Sequence, residues 1–232
     1  MIQDPGEELV GLVQRAFPDE PSAAARDAAA LVRRRFGTAL PPPFAPVPAP
    51  GSEVPIRAAI AADGPAIAAV KWRSWQVGYR GVVDDDFLDH RAVVHPPWTW
   101  WSERARFPPS RQHRLLVLGR AGEVHGFCDT GPYRDAQVAV DDDGDGDGDD
   151  DVGQVYSLYV DPSSYRQGRG AALLSAAIEH LHAAGFGDLR LWVVGGNRRA
   201  RSFYAAHGWE PDGASATRTF PDLTVVEVRY RR

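Results

Sequence analysis

A chain of 232 residues, 44% of them hydrophobic, can bury a full core in one domain and leave room for an appendage. Its net charge of −5 is concentrated in one run: Asp141–Asp151 holds eight aspartates, and removing eight negative charges from −5 leaves a body at +3. That body suits a polyanionic small molecule and is too weakly basic to point to nucleic acid. The lone cysteine, Cys128, excludes an internal disulfide and fits a reducing, cytoplasmic setting. No run of about 18 apolar residues is present, which argues against a membrane span. The start, Met1-Ile2-Gln3-Asp4, lacks the basic and apolar regions of a secretory signal.

Glu7 to Phe17 and Ser22 to Phe36 are patterned as helices, and six prolines between Pro41 and Pro50 predict an extended linker. Residues 1–50 are therefore expected to be an appendage, and 51–232 the main domain. Val54 to Ile60 reads as the first strand. Asp63-Gly64-Pro65 opens a helix, with Asp63 as N-cap, that carries Ile67, Val70, Trp75 and Tyr79. Asp84 to Val93 and Pro97 to Arg106 predict two shorter helices. The second contains Trp98, Trp100 and Trp101, residues suited equally to a cleft, a core or an interface. Leu115 to Leu118 and Val124 to Thr130 form a hairpin around Arg120-Ala121-Gly122-Glu123, with Gln137 to Val140 a candidate extension. The acidic run lacks the glutamate and flanking helices of a calcium loop, so a solvated, mobile insertion is expected and no metal site.

The stretch after that run carries the most information. Val155 to Val160 has strand composition and stops at Asp161-Pro162. Gln167-Gly168-Arg169-Gly170-Ala171-Ala172 leads into a helix, Ala171 to Ala184, with Leu173, Leu174, Ala177, Ile178 and Leu181 on one face and Gly185 as its stop. A glycine-rich loop at a helix start gathers unpaired amides and a helix dipole at one point, which suits a pyrophosphate. The spacing fits neither the Walker loop nor the dinucleotide fingerprint. Leu189 to Val194 is the next strand. Asn197 then caps a short helix containing Phe203-Tyr204. Thr217 to Phe220 and Leu223 to Tyr230 pair around Pro221-Asp222.

Three motifs resemble the GNAT family of N-acetyltransferases. Gln167-x-x-Gly170-x-Ala172 matches its [QR]-x-x-G-x-[GA] signature. Asn197-x-x-Ala200-x-x-Phe203-Tyr204-x-x-x-Gly208-Trp209 follows at the family's distance, and Ser74-Trp75-x-x-x-Tyr79-x-Gly81 resembles its first helix. The resemblance covers Val54 to Arg232. It implies an α/β fold: a mixed, mostly antiparallel sheet flanked by helices, whose parallel strands Val155–Val160 and Leu189–Val194 splay apart around acetyl-CoA.

Further expectations follow from that resemblance. The activity is acetyl transfer from acetyl-CoA, as co-substrate, to a primary amine of a small molecule or peptide; a homodimer stays open. The strand edge at Leu158 and Val160 pairs with the pantetheine arm. Amides of Gln167, Gly168, Arg169, Gly170, Ala171 and Ala172 take the pyrophosphate, with a charge from Arg166 or Arg169. Asn197 caps its helix, touches the pantetheine, or both. Tyr204 is either the general acid for the leaving thiolate or a core tyrosine. Trp75, Tyr79, Tyr156 and Trp192 line an acceptor pocket or fill the core. Gln154 stands where many relatives carry a glutamate base, leaving a water chain, Asp129 or Asp84 as alternatives; His207 reads as a surface or capping residue. The competing reading is a catalytically silent acyl-CoA-binding module.

Overall fold

A computed structural model describes residues 47–48, 54–90, 97–134, 151–220 and 223–232. The expected helices before residue 37, most of the proline-rich linker, Gln137–Val140, the acidic run up to Asp150 and the Pro221-Asp222 turn lie outside the described residues. The described strands are β1 (Val47–Pro48), β2 (Pro55–Ala58), β3 (Arg114–Arg120), β4 (Glu123–Pro132), β5 (Val152–Val160), β6 (Asp188–Val194), β7 (Glu210–Phe220) and β8 (Leu223–Arg231). They form one sheet in the order β1-β2-β3-β4-β5-β6-β8-β7. Every pair is antiparallel except β5 with β6. The mixed, mostly antiparallel sheet is thus as expected. The pairing of Val47 and Pro48 on β2 carries the sheet into the linker.

Helices cover both faces. On one face α4 (Arg169–Ala183) and α5 (Arg198–Ala206) enclose a core of Leu173, Leu174, Leu181, Leu189, Leu191 and Trp209. The apolar positions of α4 recur at helical spacing, so one stripe of the helix is buried. On the other face α1 (Gly64–Gly78) and α3 (Trp98–Arg106) pack over Ile67, Val70, Val117 and Phe127. Trp101 is buried edge-on against Phe127, with Trp98 and Trp100 packed on the same cluster, so all three tryptophans serve the core. The crossing of α1 and α3 depends on Gly64: a Cβ there would lie 2.1 Å from Ser102 Oγ and 2.7 Å from Trp98 O. A shorter helix, α2 (Asp85–His90), follows α1, and Leu88 joins a third cluster with Tyr79, Val83, Val194 and Val225. Among the described residues no helix is long and apolar enough to cross a membrane.

Two local expectations change. Asp63 stands at the N-cap position of α1, but its carboxylate does not cap that helix. It accepts from the Ile60 N–H (2.8 Å) and from both Arg57 Nη1 and Nη2 (2.7 and 2.8 Å), tying β2 to the helix start. β7 begins at Glu210, seven residues before the expected Thr217, because Pro211-Asp212-Gly213 is carried as an irregularity between the Pro211 and Ser215 pairings.

The Arg57–Asp63 pair is buried on both sides, at 8% and 0% side-chain exposure. Removing one partner leaves the other charge desolvated and unpaired. Asp63→Ala is expected to lose about 3–5 kcal/mol of stability, and urea denaturation monitored by tryptophan fluorescence measures it.

Candidate active site

β5 and β6 pair over only four positions, Val152↔Asp188 to Val155↔Leu191. Beyond them β5 keeps its bonds to β4, and β6 keeps its bonds to β8. The separation begins at a bulge: Asp129↔Ser157 is followed by Thr130↔Val155, which leaves Tyr156 without an opposite residue. A bulge bends its strand and increases the local twist, here away from β6. A cleft of about 600 Å³ fills the gap.

One wall is the free edge of β5. The Asp161 N–H donates to His125 O of β4 at 2.8 Å. Backbone groups alternate sides along a strand, so the N–H groups of Val160 and Leu158 turn from β4 toward the cleft. Val160 O is already used, accepting from Ser74 Oγ at 2.8 Å. Leu158 and Val160 therefore offer the edge expected of them, and both line the cleft.

The floor of one end is the start of α4. This helix begins at Arg169, two residues earlier than expected, with Gly168 as its N-cap at φ +74°. Arg166 is also left-handed, at φ +60°, and is the only non-glycine among the described residues with positive φ. Left-handed residues interrupting a turn gather successive amides into a concavity that suits an anion. The first-turn N–H groups of Arg169, Gly170 and Ala171 have no carbonyl a turn earlier to bond. The Ala172 N–H does, at 3.0 Å from Gly168 O, so Ala172 leaves the expected donor set and its side chain is buried. Gln167 also stands back from the cleft, its Nε2 donating to Ser163 O at 3.1 Å. Arg166, Arg169 and Arg199 all line this end. Arg169 is tied to Ser164 Oγ, and Arg199 lies over the Tyr165 ring.

Asn197, Ala200, Phe203 and Tyr204 form the wall opposite β5. Asn197 caps α5, its Oδ1 accepting from the Ala200 N–H at 3.0 Å. Tyr204 is buried against Trp209 and Tyr230, yet its ring still lines the cleft. Its hydroxyl makes no hydrogen bond among the described residues. Burial, with Cys128 and Tyr159 nearby, raises its pKa well above that of an ordinary phenol, so it stays protonated. His207 also reaches the cleft, with Nδ1 2.7 Å from Phe203 O.

Of the residues expected to line an acceptor pocket, Tyr79, Tyr156 and Trp192 line the cleft, and Trp75 does not. Trp75 stands behind them, its Nε1 donating to the Tyr159 hydroxyl at 3.1 Å and its ring 4.6 Å from Tyr79. The acids considered as a base are elsewhere. Asp129 is buried and paired with Arg104. Asp84 is exposed, and its Oδ1 accepts from the Phe87 N–H. Gln154 Oε1 accepts from the Arg134 N–H. Neither Asp129, Asp84 nor Gln154 lines the cleft. One carboxylate that the sequence did not single out does: Glu227 of β8, paired with Val194. Its alternation in Val225-Val226-Glu227-Val228 could have assigned its face of the sheet, but not the presence of a cleft there.

Behind the bulge lies a cationic cluster. Arg104 and Arg134 lie 5.7 and 4.6 Å from the Tyr156 ring centroid, and His113 stacks beside it. Burial and these two arginines push the His113 pKa down to about 3, while burial pushes Tyr156 up to about 12.

Comparisons with known proteins agree with this geometry. The family model described as "Acetyltransferase (GNAT) family" matches residues 71–209. A probable N-acetyltransferase of Mycobacterium tuberculosis is 29% identical over 184 residues, covering 78% of this chain and 94% of that protein. The PaiA N-acetyltransferase of Thermoplasma acidophilum, solved with coenzyme A, superposes with a TM-score of 0.58 at 16% identity, covering 78% of this chain and 99% of that one. A ribosomal-protein-alanine N-acetyltransferase of Brucella melitensis gives a TM-score of 0.52 at 22% identity, covering 76% and 98%.

The His113 shift predicts acid sensitivity. Its folded pKa of about 3 lies below the ordinary 6.5, so only the unfolded chain takes the proton between them. The stability from keeping it neutral is present above pH 6.5 and is lost as pH falls toward 3. Denaturant titrations from pH 7.5 to 5 are expected to show a shallower decline in His113→Gln than in the parent.

Proposed function

The chain belongs to the GNAT family of acetyltransferases, and we propose that it transfers an acetyl group from acetyl-CoA to a primary amine in the cleft between β5 and β6. The observation that carries this reading is the free edge of β5 lying directly before the open first turn of α4. A pantetheine arm is a chain of amides, so it can pair with Leu158 and Val160 as a strand would. The amides of Arg169, Gly170 and Ala171 then face its pyrophosphate, with Arg166 and Arg199 beside them. The close approach this needs is available: the nearest atoms a Cβ on Gly170 would meet are those of Phe203 and Val160, at 3.4 Å or more, and glycine leaves that space open. The unit that does this is residues 51–232, to whose sheet Val47–Pro48 of the appended 1–50 segment adds an edge pair.

Acetyl-CoA supplies an activated acyl carbonyl and a thiolate leaving group. An N–H of the β5 edge donates to the carbonyl oxygen as charge develops there. Tyr204 gives its phenolic proton to the departing sulfur. Its raised pKa keeps that proton on the phenol in the resting site. Asn197 fixes the start of α5 and so sets where Tyr204 stands.

Gly170→Val would put two methyl groups into the space beside Phe203. It is expected to weaken coenzyme A binding by at least tenfold without unfolding the chain, as calorimetry and thermal melting measure. Tyr204→Phe keeps the ring and loses the proton. Turnover is expected to fall about tenfold to 100-fold, toward or below the low end for general-acid help, with coenzyme A affinity unchanged. Coenzyme A binding without thiol release toward any amine would instead support the silent acyl-CoA-binding module.

A further inference from the structure

Charges of both signs line the cleft. Arg166, Arg169 and Arg199 line it around the start of α4. Glu227 is the only carboxylate among the described residues that line it. Glu227 extends from β8 on the same side as Val225, which packs with Tyr79 and Val194. That is the face opposite α4, so Glu227 meets the cleft from the side away from Tyr204. Its Oε2 accepts from Arg218 Nε at 2.9 Å. No described residue donates to Oε1. The carboxylate is thus held by one oxygen and offers the other. Tyr79 and Tyr159 both lie within its field, and its charge contributes to raising both phenols after burial, the larger cause. A carboxylate in a cleft also lined by Tyr79, Tyr159 and Trp192 suits an ammonium group, through charge-assisted hydrogen bonds and the ring quadrupoles.

We propose that Glu227 receives the acceptor: its carboxylate binds the acceptor's ammonium group and takes a proton from it, freeing the lone pair that forms the nitrogen–carbon bond. The inference rests on the amine-acetylation reading above. It fills the place that Gln154, Asp129 and Asp84 leave vacant. The steps balance. The ammonium nitrogen gives one proton to Glu227, which releases it to solvent. The freed lone pair forms the bond to the acyl carbon, and the carbon–sulfur bond breaks with its electron pair on sulfur. Glu227, deprotonated again, takes the nitrogen's second proton and releases it to solvent. The Tyr204 phenolate regains a proton from solvent, so one ammonium and one thioester give one amide, one thiol and one proton. The substrate class is a primary amine that is cationic at neutral pH, with apolar or aromatic substance next to the nitrogen to lie against Tyr79 and Trp192.

The test compares two kinds of acceptor. Thiol release from acetyl-CoA is followed with alkylamines (2-phenylethylamine, spermidine, glycinamide), largely protonated at pH 7.5, and with 4-methoxyaniline, which is neutral there. Glu227→Gln is expected to lose about 100-fold in kcat/KM with the alkylamines. With the arylamine it should lose less than about tenfold, since there is no ammonium to hold. Glu227→Asp keeps the charge and should recover part of the alkylamine rate. Calorimetry should show coenzyme A bound equally by all three proteins. Equal losses with both kinds of acceptor, or no recovery in Glu227→Asp, would overturn the assignment of Glu227 and leave amine acetylation standing. Coenzyme A binding by the parent with no thiol release toward any of these amines would overturn the amine reading and this inference together.

Discussion

Everything in the site depends on β5 leaving β6 after four paired residues. A parallel pair ordinarily continues until one strand ends, because an unpaired edge strands its N–H and C=O groups. Here both strands continue, and each stays bonded on its other side. Their lost partners need replacement by water or by a ligand with backbone-like groups. The unpaired Tyr156 marks where this begins. Its ring is held from behind by Arg104, Arg134 and His113, and its hydroxyl donates to Pro132 O. The irregularity is therefore built into the packing, so the gap is a feature of the folded chain and does not wait for a ligand.

Keeping the strands apart requires support on both sides. Val160 is anchored by Ser74 of α1, and Asp161 by Arg73 Nε at 2.7 Å. Those contacts fix the end of β5, and Asp161 also accepts from the Ser163 N–H, turning the chain toward α4. On the other wall α5 is docked through Trp209 and Tyr204 into the core beneath β6. A substrate arm entering here finds its amide partners already oriented. Little ordering entropy remains for the protein to lose on binding.

Much of this was legible in the sequence, and the reasons are specific. α1 and α4 declare themselves by apolar residues at helical spacing and by Pro65 and Gly185 at their ends. Asn197 was readable as a cap because asparagine offers a short acceptor to the first-turn N–H groups. The bulge at Tyr156 was not, since it is a relation between two strands and Val155-Tyr156-Ser157-Leu158 alternates without interruption. The start of β7 was hidden because Pro211-Asp212-Gly213 has the composition of a turn. Asp129 looked available as a base. Its partner Arg104 is 25 residues away on a helix, and only the packing of α3 brings them together. Glu227 failed to stand out for the opposite reason: its neighbours give it a face of the sheet, but the cleft on that face is made by strands far away in sequence.

The sheet itself separates Tyr204 from Glu227. Tyr204 belongs to the α4–α5 side, buried among apolar residues where a phenolate is disfavoured. Glu227 belongs to the α1 side, beside Arg218, where a carboxylate is hydrogen-bonded and charge-balanced. Two ionisable groups facing one another directly would couple, and protonation of one would perturb the other. Tyr204 and Glu227 instead stand on opposite faces of the sheet, with the gap between β5 and β6 as their common opening. On the proposed reading, an acyl donor along β5 and an amine from the α1 side would meet in the plane of the sheet, where the N–H groups of Leu158 and Val160 are free. The parting of strands that creates the binding edge is then also what would let the two reactants approach from opposite faces.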